Sequence, residues 1–303
     1  MYLHEERELF EQAVLAVSQK RGIPAAIVEK DYHVTFLLKE LVHRNPAIIF
    51  KGGTSLSKCY HAVNRFSEDI DISYDNKGSL PTEGMRRDLN QAVMDAALHR
   101  GYPLKNPNEI LRRRHFNRFV LEYTPLFPLI KNVPTTLVVE TAFAIRSFPT
   151  EKRDVASLIG EYVEEAGMTP FVEQYELGPF SVSVQKPERT FVDKIFALCD
   201  YWMADQIAGH SRHLYDLCKL YPIVHTEKDM KNLVNEVRAL RAESKMCPSA
   251  KPECDIKKIL RQIDESDAYK SDYENVTEDL LFEPYPYEMA KNILRTIENM
   301  GLF

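Results

Sequence analysis

The sequence predicts an α+β protein, with a small mixed sheet and flanking helices over residues 1–180 and a helical part over residues 181–303. Three observations carry that reading. Four short apolar or alternating runs, Ala47–Phe50, Asp69–Ser73, Phe116–Tyr123 and Thr136–Phe143, have the length of strands. Segments with helical periodicity precede and separate them. From Pro187 onward the pattern is helical almost to the end, and no internal repeat interrupts it.

Taken in order, Leu9, Phe10, Ala13, Val14 and Val17 recur at helical spacing, as do Val28, Tyr32, Phe36 and Leu37, with Pro24 marking the start of the second helix. Ala47-Ile48-Ile49-Phe50 is bounded by Pro46 and Gly52-Gly53, which suits a buried strand. Leu56, Tyr60 and Val63 then give the stripe of a short helix. Asp69-Ile70-Asp71-Ile72-Ser73 alternates polar with apolar, the signature of a strand with one buried face. A helix is predicted over about 83 to 100, followed by the two strands at 116 and 136. Residues from about 150 to 180, mixed and punctuated by Pro and Gly, read as a connector. Breaks in the helical part fall at Cys247–Pro252 and Pro284–Pro286.

Composition excludes several classes. With 44% apolar and 28% charged residues, 11 Gly and 17 Pro in 303 residues, the chain is neither disordered nor collagenous and is long enough for two domains. A net charge of -6 and a pI near 5.9 argue against a general nucleic-acid coating protein and leave room for a local basic groove. The five cysteines are odd in number and scattered, as in a reducing compartment. Cys247 and Cys254 lack the further close ligands a zinc site needs. The N-terminus is charged, without an apolar core, and no run approaches membrane-spanning length, so the expectation is a cytoplasmic protein without a membrane partner.

The residues that can carry chemistry begin at Gly52-Gly53-Thr54-Ser55. A strand, two glycines, small hydroxyl residues and a helix let backbone amides approach an anion such as phosphate, although the same pattern also serves as a plain tight turn. Asp69 and Asp71, one residue apart on a strand, project from the same face. Two anions held that close repel unless a cation lies between them, and Mg2+ takes hard oxygen ligands of this kind. Glu140 stands alone in the apolar run Leu137–Phe143, where a buried carboxylate needs a metal, a base such as Arg146, or solvent. Arg112-Arg113-Arg114-His115-Phe116-Asn117-Arg118-Phe119 interleaves bases with aromatics, as a contact for RNA or as a solvated strand edge would.

Lys51-Gly52-Gly53-Thr54-Ser55-Leu56 followed by Arg65-Phe66-Ser67-Glu68-Asp69-Ile70-Asp71 resembles the nucleotidyltransferase signature of the DNA polymerase beta superfamily. More narrowly it is similar to the AbiEii group of abortive-infection toxins and the related MenT toxins. Glu29-Lys30-Asp31-Tyr32, Pro187-Glu188-Arg189-Thr190-Phe191-Val192-Asp193-Lys194 and Arg212-His213-Leu214-Tyr215-Asp216-Leu217 agree, so the resemblance spans roughly residues 25 to 220. It implies that Asp69 and Asp71 bind the metal with Glu140 as third acid. It implies also that Lys51, Gly52, Gly53, Thr54, Ser55 and Ser67 contact the nucleotide, and that Lys194 and Asp216 complete the catalytic set. Position 213 departs from the pattern, since the family more often has an acid where this chain has His213.

Local reading supports the last two residues. Phe191, Ile195, Leu198 and Trp202 form an apolar helix face that leaves Lys194 near its edge, within reach of phosphate oxygens. Leu214, Leu217 and Leu220 supply packing around Asp216, and Arg212, one turn earlier, is placed to orient it. An inter-helix salt bridge is the alternative for both.

The resemblance implies a Mg2+-dependent enzyme, with Mn2+ as the alternative ion, that moves a nucleoside monophosphate from a nucleoside triphosphate to RNA and releases pyrophosphate. The 3′ end of transfer RNA is the first expectation for acceptor, and a separately encoded antitoxin is the expected partner. The alternatives are a protein or small-molecule acceptor, phosphoryl transfer, or a catalytically silent nucleotide-binding module. The intact acids at 69 and 71 argue against the last.

Overall fold

The computed structural model describes all residues except 1, 68, 76–81, 111–115, 129, 132, 144–145 and 225–228. The chain divides into two units, one made of Met1–Cys59, Ser67–Phe143 and Thr150–Val184, the other of Tyr60–Phe66, Ala144–Pro149 and Gln185–Phe303. No described helix is long and apolar enough to cross a membrane.

The first unit opens with α1 (Arg7–Arg21) and α2 (Ala25–Arg44), the latter following Pro24 at its N-cap. Their apolar stripes join in a core of Phe10, Val14, Val17, Val28 and Tyr32 with Ile159, Val163 and Tyr175. Strand β1 (Ile48–Lys51) runs directly into the short helix α3 (Gly52–Lys58), which ends before Tyr60 and Val63. Then come β2 (Asp69–Tyr74), α4 (Glu83–His99), β3 (Phe116–Glu122) and β4 (Thr136–Ala142).

Residues 150–180 are not a connector. They form β5 (Thr150–Val155), α5 (Leu158–Glu165), α6 (Thr169–Gln174) and the start of β6 (Phe180–Gln185), which buries Val182 and Val184. The sheet therefore has six strands in the order β3-β4-β2-β1-β6-β5. β1 is antiparallel to β2 and parallel to β6, while β2 is parallel to β4, which is antiparallel to β3.

The motif at Glu29-Lys30-Asp31 acts as a clamp within this unit. Glu29 accepts from the backbone amides of Leu126 and Phe127 at 2.6 and 3.1 Å, and Lys30 donates to the Pro134 carbonyl. Asp31 pairs with Lys58 at 2.5 Å and accepts from the Leu158 amide at 2.8 Å. These charged side chains sit on a helix face that is largely buried, where each needs such a partner.

The second unit is helical, with α7 (Pro187–Met203), α8 (Arg212–Val224), α9 (Met230–Ala242), α10 (Ile256–Glu265), the single turn α11 (Lys270–Asp272) and α12 (Tyr287–Asn299). Phe191, Ile195 and Leu198 of α7 and Leu214, Leu217 and Leu220 of α8 are fully buried. Arg241 of α9 ties to Asp193 and Asp200 of α7 at 3.2 and 2.9 Å.

Candidate active site

In the sheet unit, strand register sets one row of charges. Lys51 of β1 lies opposite Asp71 of β2, Asp71 opposite Glu140 of β4, and Glu140 opposite Arg118 of β3. Residues paired across strands share a face, so the row reads plus, minus, minus, plus across four strands. Asp69, two residues before Asp71, adds a third acid to that face, while Ile70 and Ile72 fill the core behind it. The acids crowd one another. Burial, then Asp71 and Asp69, push the Glu140 carboxyl up to about 7, with Arg118 at 3.8 Å opposing and a hydrogen bond to Asp71 adding to the rise. Arg118 is a base beside Glu140.

Gly52 makes this face possible. Its φ of +78° lies in the left-handed region, and a Cβ there would stand 1.9 Å from Asp71 Oδ2. The glycine turn and the aspartate of the next strand thus share one space, which only a residue without a side chain leaves open. Behind the turn, Ser55 Oγ donates to the Gly52 carbonyl at 2.9 Å, and Thr54 Oγ1 shares a hydrogen bond with Ser67 Oγ at 2.9 Å. Both Thr54 and Ser55 are buried, so their hydroxyls brace the turn. Gly53 lies in the first turn of α3.

In the helical unit, Lys194 of α7 and Asp216 of α8 form an ion pair at 2.6 Å. Asp216 is gripped on its other side by Arg65, whose Nε and Nη2 meet the two carboxylate oxygens at 2.7 Å each. That forked grip belongs to Arg65; the sequence reading gave the orienting role to Arg212. Burial alone would raise the Asp216 carboxyl, but Arg65 and Lys194 hold it well below the usual carboxylate range. Burial pulls Lys194 below the usual lysine range, with Asp216 opposing. His213 Nδ1 lies 3.3 Å from the Lys194 ammonium.

Other motif residues serve the fold. Arg189 is buried against Asp193 and the Phe148 carbonyl, each at 3.0 Å, and Thr190 accepts from Gln185 at 3.1 Å. Of the basic aromatic stretch, Arg112 to His115 lie outside the described residues, Phe119 is core, and Phe116 and Arg118 are exposed on one strand face.

Asp69, Asp71 and Glu140 offer hard oxygen donors on one crowded face, which fits a divalent cation in chemistry and charge. Among the described residues no three His, Cys, Asp or Glu side chains already form a cage. A cation held there would offset the repulsion from Asp71 and Asp69 that, after burial, raises the Glu140 carboxyl.

A family model described as "Nucleotidyl transferase AbiEii toxin, Type IV TA system" matches residues 36–292. Among solved structures, MenT4, a nucleotidyltransferase toxin from Mycobacterium tuberculosis H37Rv, superposes with a TM-score of 0.50 at 16% identity, covering 95% of this chain and 88% of that one. At that identity the likeness speaks to the fold. No match is found among curated proteins.

Proposed function

The chain belongs to the AbiEii family of nucleotidyltransferase toxins, and on that premise we propose that it transfers a nucleoside monophosphate from a nucleoside triphosphate to the 3′ end of an RNA, transfer RNA first, with Mg2+ at the sheet acids. The observation that supports this most is the placement of Asp69, Asp71 and Glu140 on one face, kept open by Gly52, at an electrostatic cost that a purely structural sheet has no reason to bear.

Asp69 and Asp71 hold the ion in this reading, with Glu140 as third acid. Bound there, Mg2+ supplies neutralisation of the charge that develops on the phosphates and favours ionisation of the attacking hydroxyl. The protein's own part is positioning. The Gly52-Gly53 turn brings backbone close to the phosphates, and Lys51 and Ser67 border that turn in sequence and space. Lys194, held by Asp216, offers an ammonium to the triphosphate. Exposed Phe116 and Arg118, on the face that carries Glu140, suit a stacked base and a backbone phosphate of the acceptor. A separately encoded antitoxin opposes the activity.

Each radiolabelled nucleoside triphosphate incubated with transfer RNA and Mg2+ tests the reading. One nucleotide is expected to label the RNA in a Mg2+-dependent way, with pyrophosphate released. Asp69→Asn should abolish labelling while leaving the circular dichroism spectrum and melting temperature close to wild type. Labelling by a folded Asp69→Asn protein, or pyrophosphate release with the label on protein instead of RNA, contradicts the metal site or the acceptor respectively.

A further inference from the structure

We propose that His213 is a positioning residue, whose imidazole and the Asp216 carboxylate together hold the Lys194 ammonium so that one N–H is left to meet the phosphates of a triphosphate ligand. This rests on the reading of Lys194 given above and extends it to a side chain that reading does not use. A lysine ammonium has three donors at tetrahedral angles and no acceptor. One is directed to Asp216 Oδ2 at 2.6 Å, and a second faces His213 Nδ1 at 3.3 Å. Fixing two directions on a tetrahedral nitrogen fixes the third.

For Nδ1 to accept, the imidazole must be neutral and carry its proton on Nε2. Its surroundings enforce this. Burial, with Lys194, Arg212 and His210 facing the ring and Asp216 alone opposing them, keeps it from protonating until well below the usual histidine range. The groups facing Lys194 are Asp216, Arg65, Arg212 and His213. Three fixed positive charges, Arg65, Lys194 and Arg212, therefore stand against the single carboxylate of Asp216. A neutral acceptor at 213 orients the ammonium without cancelling any of that positive charge, which is what a polyanionic ligand needs.

The ring is itself held in place. Tyr201 lies two helical turns beyond Lys194 on α7, so it shares that face. Its ring is within 13° of parallel to His213 at 5.9 Å and stacks on His210 at 3.5 Å. The plane of the imidazole is thereby set by the same helix that presents the lysine.

Three substitutions separate positioning from packing. In His213→Asn the amide oxygen takes the place of Nδ1; in His213→Gln the amide lies where Nε2 was; His213→Phe keeps a ring without an acceptor. Titration calorimetry of the full chain with inorganic triphosphate is expected to show binding within about 3-fold of wild type for Asn and weakened about 10-fold or more for Gln and Phe, the worth of one hydrogen bond to a charged group. In the ligand-free protein, the 15N–1H signal of the Lys194 ammonium should stay protected from exchange in wild type and Asn and be lost in Gln and Phe. Binding and protection kept by Phe and lost by Asn would mean that the ring only packs, and equal binding by all three also overturns the proposal. A Lys194→Met protein that binds triphosphate as wild type does sinks the wider reading instead, and the ligand half of the proposal with it. Loss of binding in Lys194→Met alone sinks only the role of His213.

Discussion

At Gly52 the turn and the strand compete for one volume, and that competition makes the residue a sensitive probe of the site. Alanine there would bring its Cβ 1.9 Å from Asp71 Oδ2 and would have to adopt a φ of +78°. The strain in the left-handed region costs about 1–2 kcal/mol by itself. The carboxylate must also move, and an ångström of displacement at a reacting centre costs on the order of 100-fold in rate. Gly52→Ala is therefore expected to lower stability by about 1–3 kcal/mol in a urea titration and to lower nucleotide transfer by roughly 100-fold or more. A protein that loses stability but transfers at the wild-type rate would show that Asp71 has no part in the chemistry. This was legible in sequence only halfway. The pair Gly52-Gly53 and the spacing of Asp69 and Asp71 could be read locally, since a strand with period two fixes the face. That Gly52 touches Asp71 could not, because it depends on the β1–β2 register.

The pairing of α7 with α8 through Lys194, Asp216 and Arg65 shows a similar limit at the scale of elements. Arg65 and Asp216 are 151 positions apart, and the segment Tyr60–Phe66 joins the helical unit although it lies between α3 and β2 in sequence. No local pattern announces such a contact, whereas Arg212, one turn from Asp216, was the neighbour that periodicity offered. Both partners are buried and the grip is bidentate. Arg65→Met should thus leave a buried carboxylate with Lys194 alone and cost about 3–5 kcal/mol. Arg65→Lys, which keeps charge without the fork, should fall between. Urea midpoints of the three proteins test the order. The strands follow the same logic. β1, β2, β3 and β4 each carry an apolar or alternating face that reads from sequence. β5, Thr150-Glu151-Lys152-Arg153-Asp154-Val155, is an edge strand with charges on both faces and offers no such face. β6 does alternate, with Val182 and Val184 buried, but its six residues follow Gly178-Pro179 and were absorbed into that punctuation.

Across the whole molecule, the two units differ in how their buried titrating groups respond to acid. A histidine kept neutral by folding costs stability once the unfolded chain binds its proton, so its effect starts near pH 6.5 and grows as pH falls. In the sheet unit His33, pushed by burial to about 3, and His4, lowered mainly by burial, act in that direction. Two acids there act oppositely. Glu140, raised to about 7 by burial and by Asp71 and Asp69, and Glu29, raised mainly by burial, take up protons more readily folded than unfolded. Their stabilising effect is full below the unfolded carboxylate range and is lost as pH rises through the folded value. Between about pH 6.5 and 4.5 the effects of His33 and Glu140, each near 1.4 kcal/mol per pH unit, offset each other in this unit, with His4 adding to the one side and Glu29 to the other. In the helical unit His213 and His210 are both lowered by burial, while the acids Asp216 and Asp267 are lowered too, so nothing among these groups offsets the histidines. Those two carboxylates lose their contribution only as pH falls below about 4, adding to the decline. Hydrogen exchange read at α2 for one unit and at α7 and α8 for the other should therefore show protection of α7 and α8 falling from about pH 6.5 downward, with α2 holding to about pH 4.5. Parallel loss in both, or earlier loss in α2, would mean that Glu140 and Glu29 do not carry raised affinities for protons in the folded chain. With Mg2+ bound by the sheet acids, the share of the offset that Glu140 carries should be lost, because Glu140 would then no longer take up the proton, while that of Glu29 stays. Under millimolar Mg2+ the protection of α2 is accordingly expected to start falling at a higher pH than without the ion, which ties the acid response of the fold to occupancy of the proposed metal site.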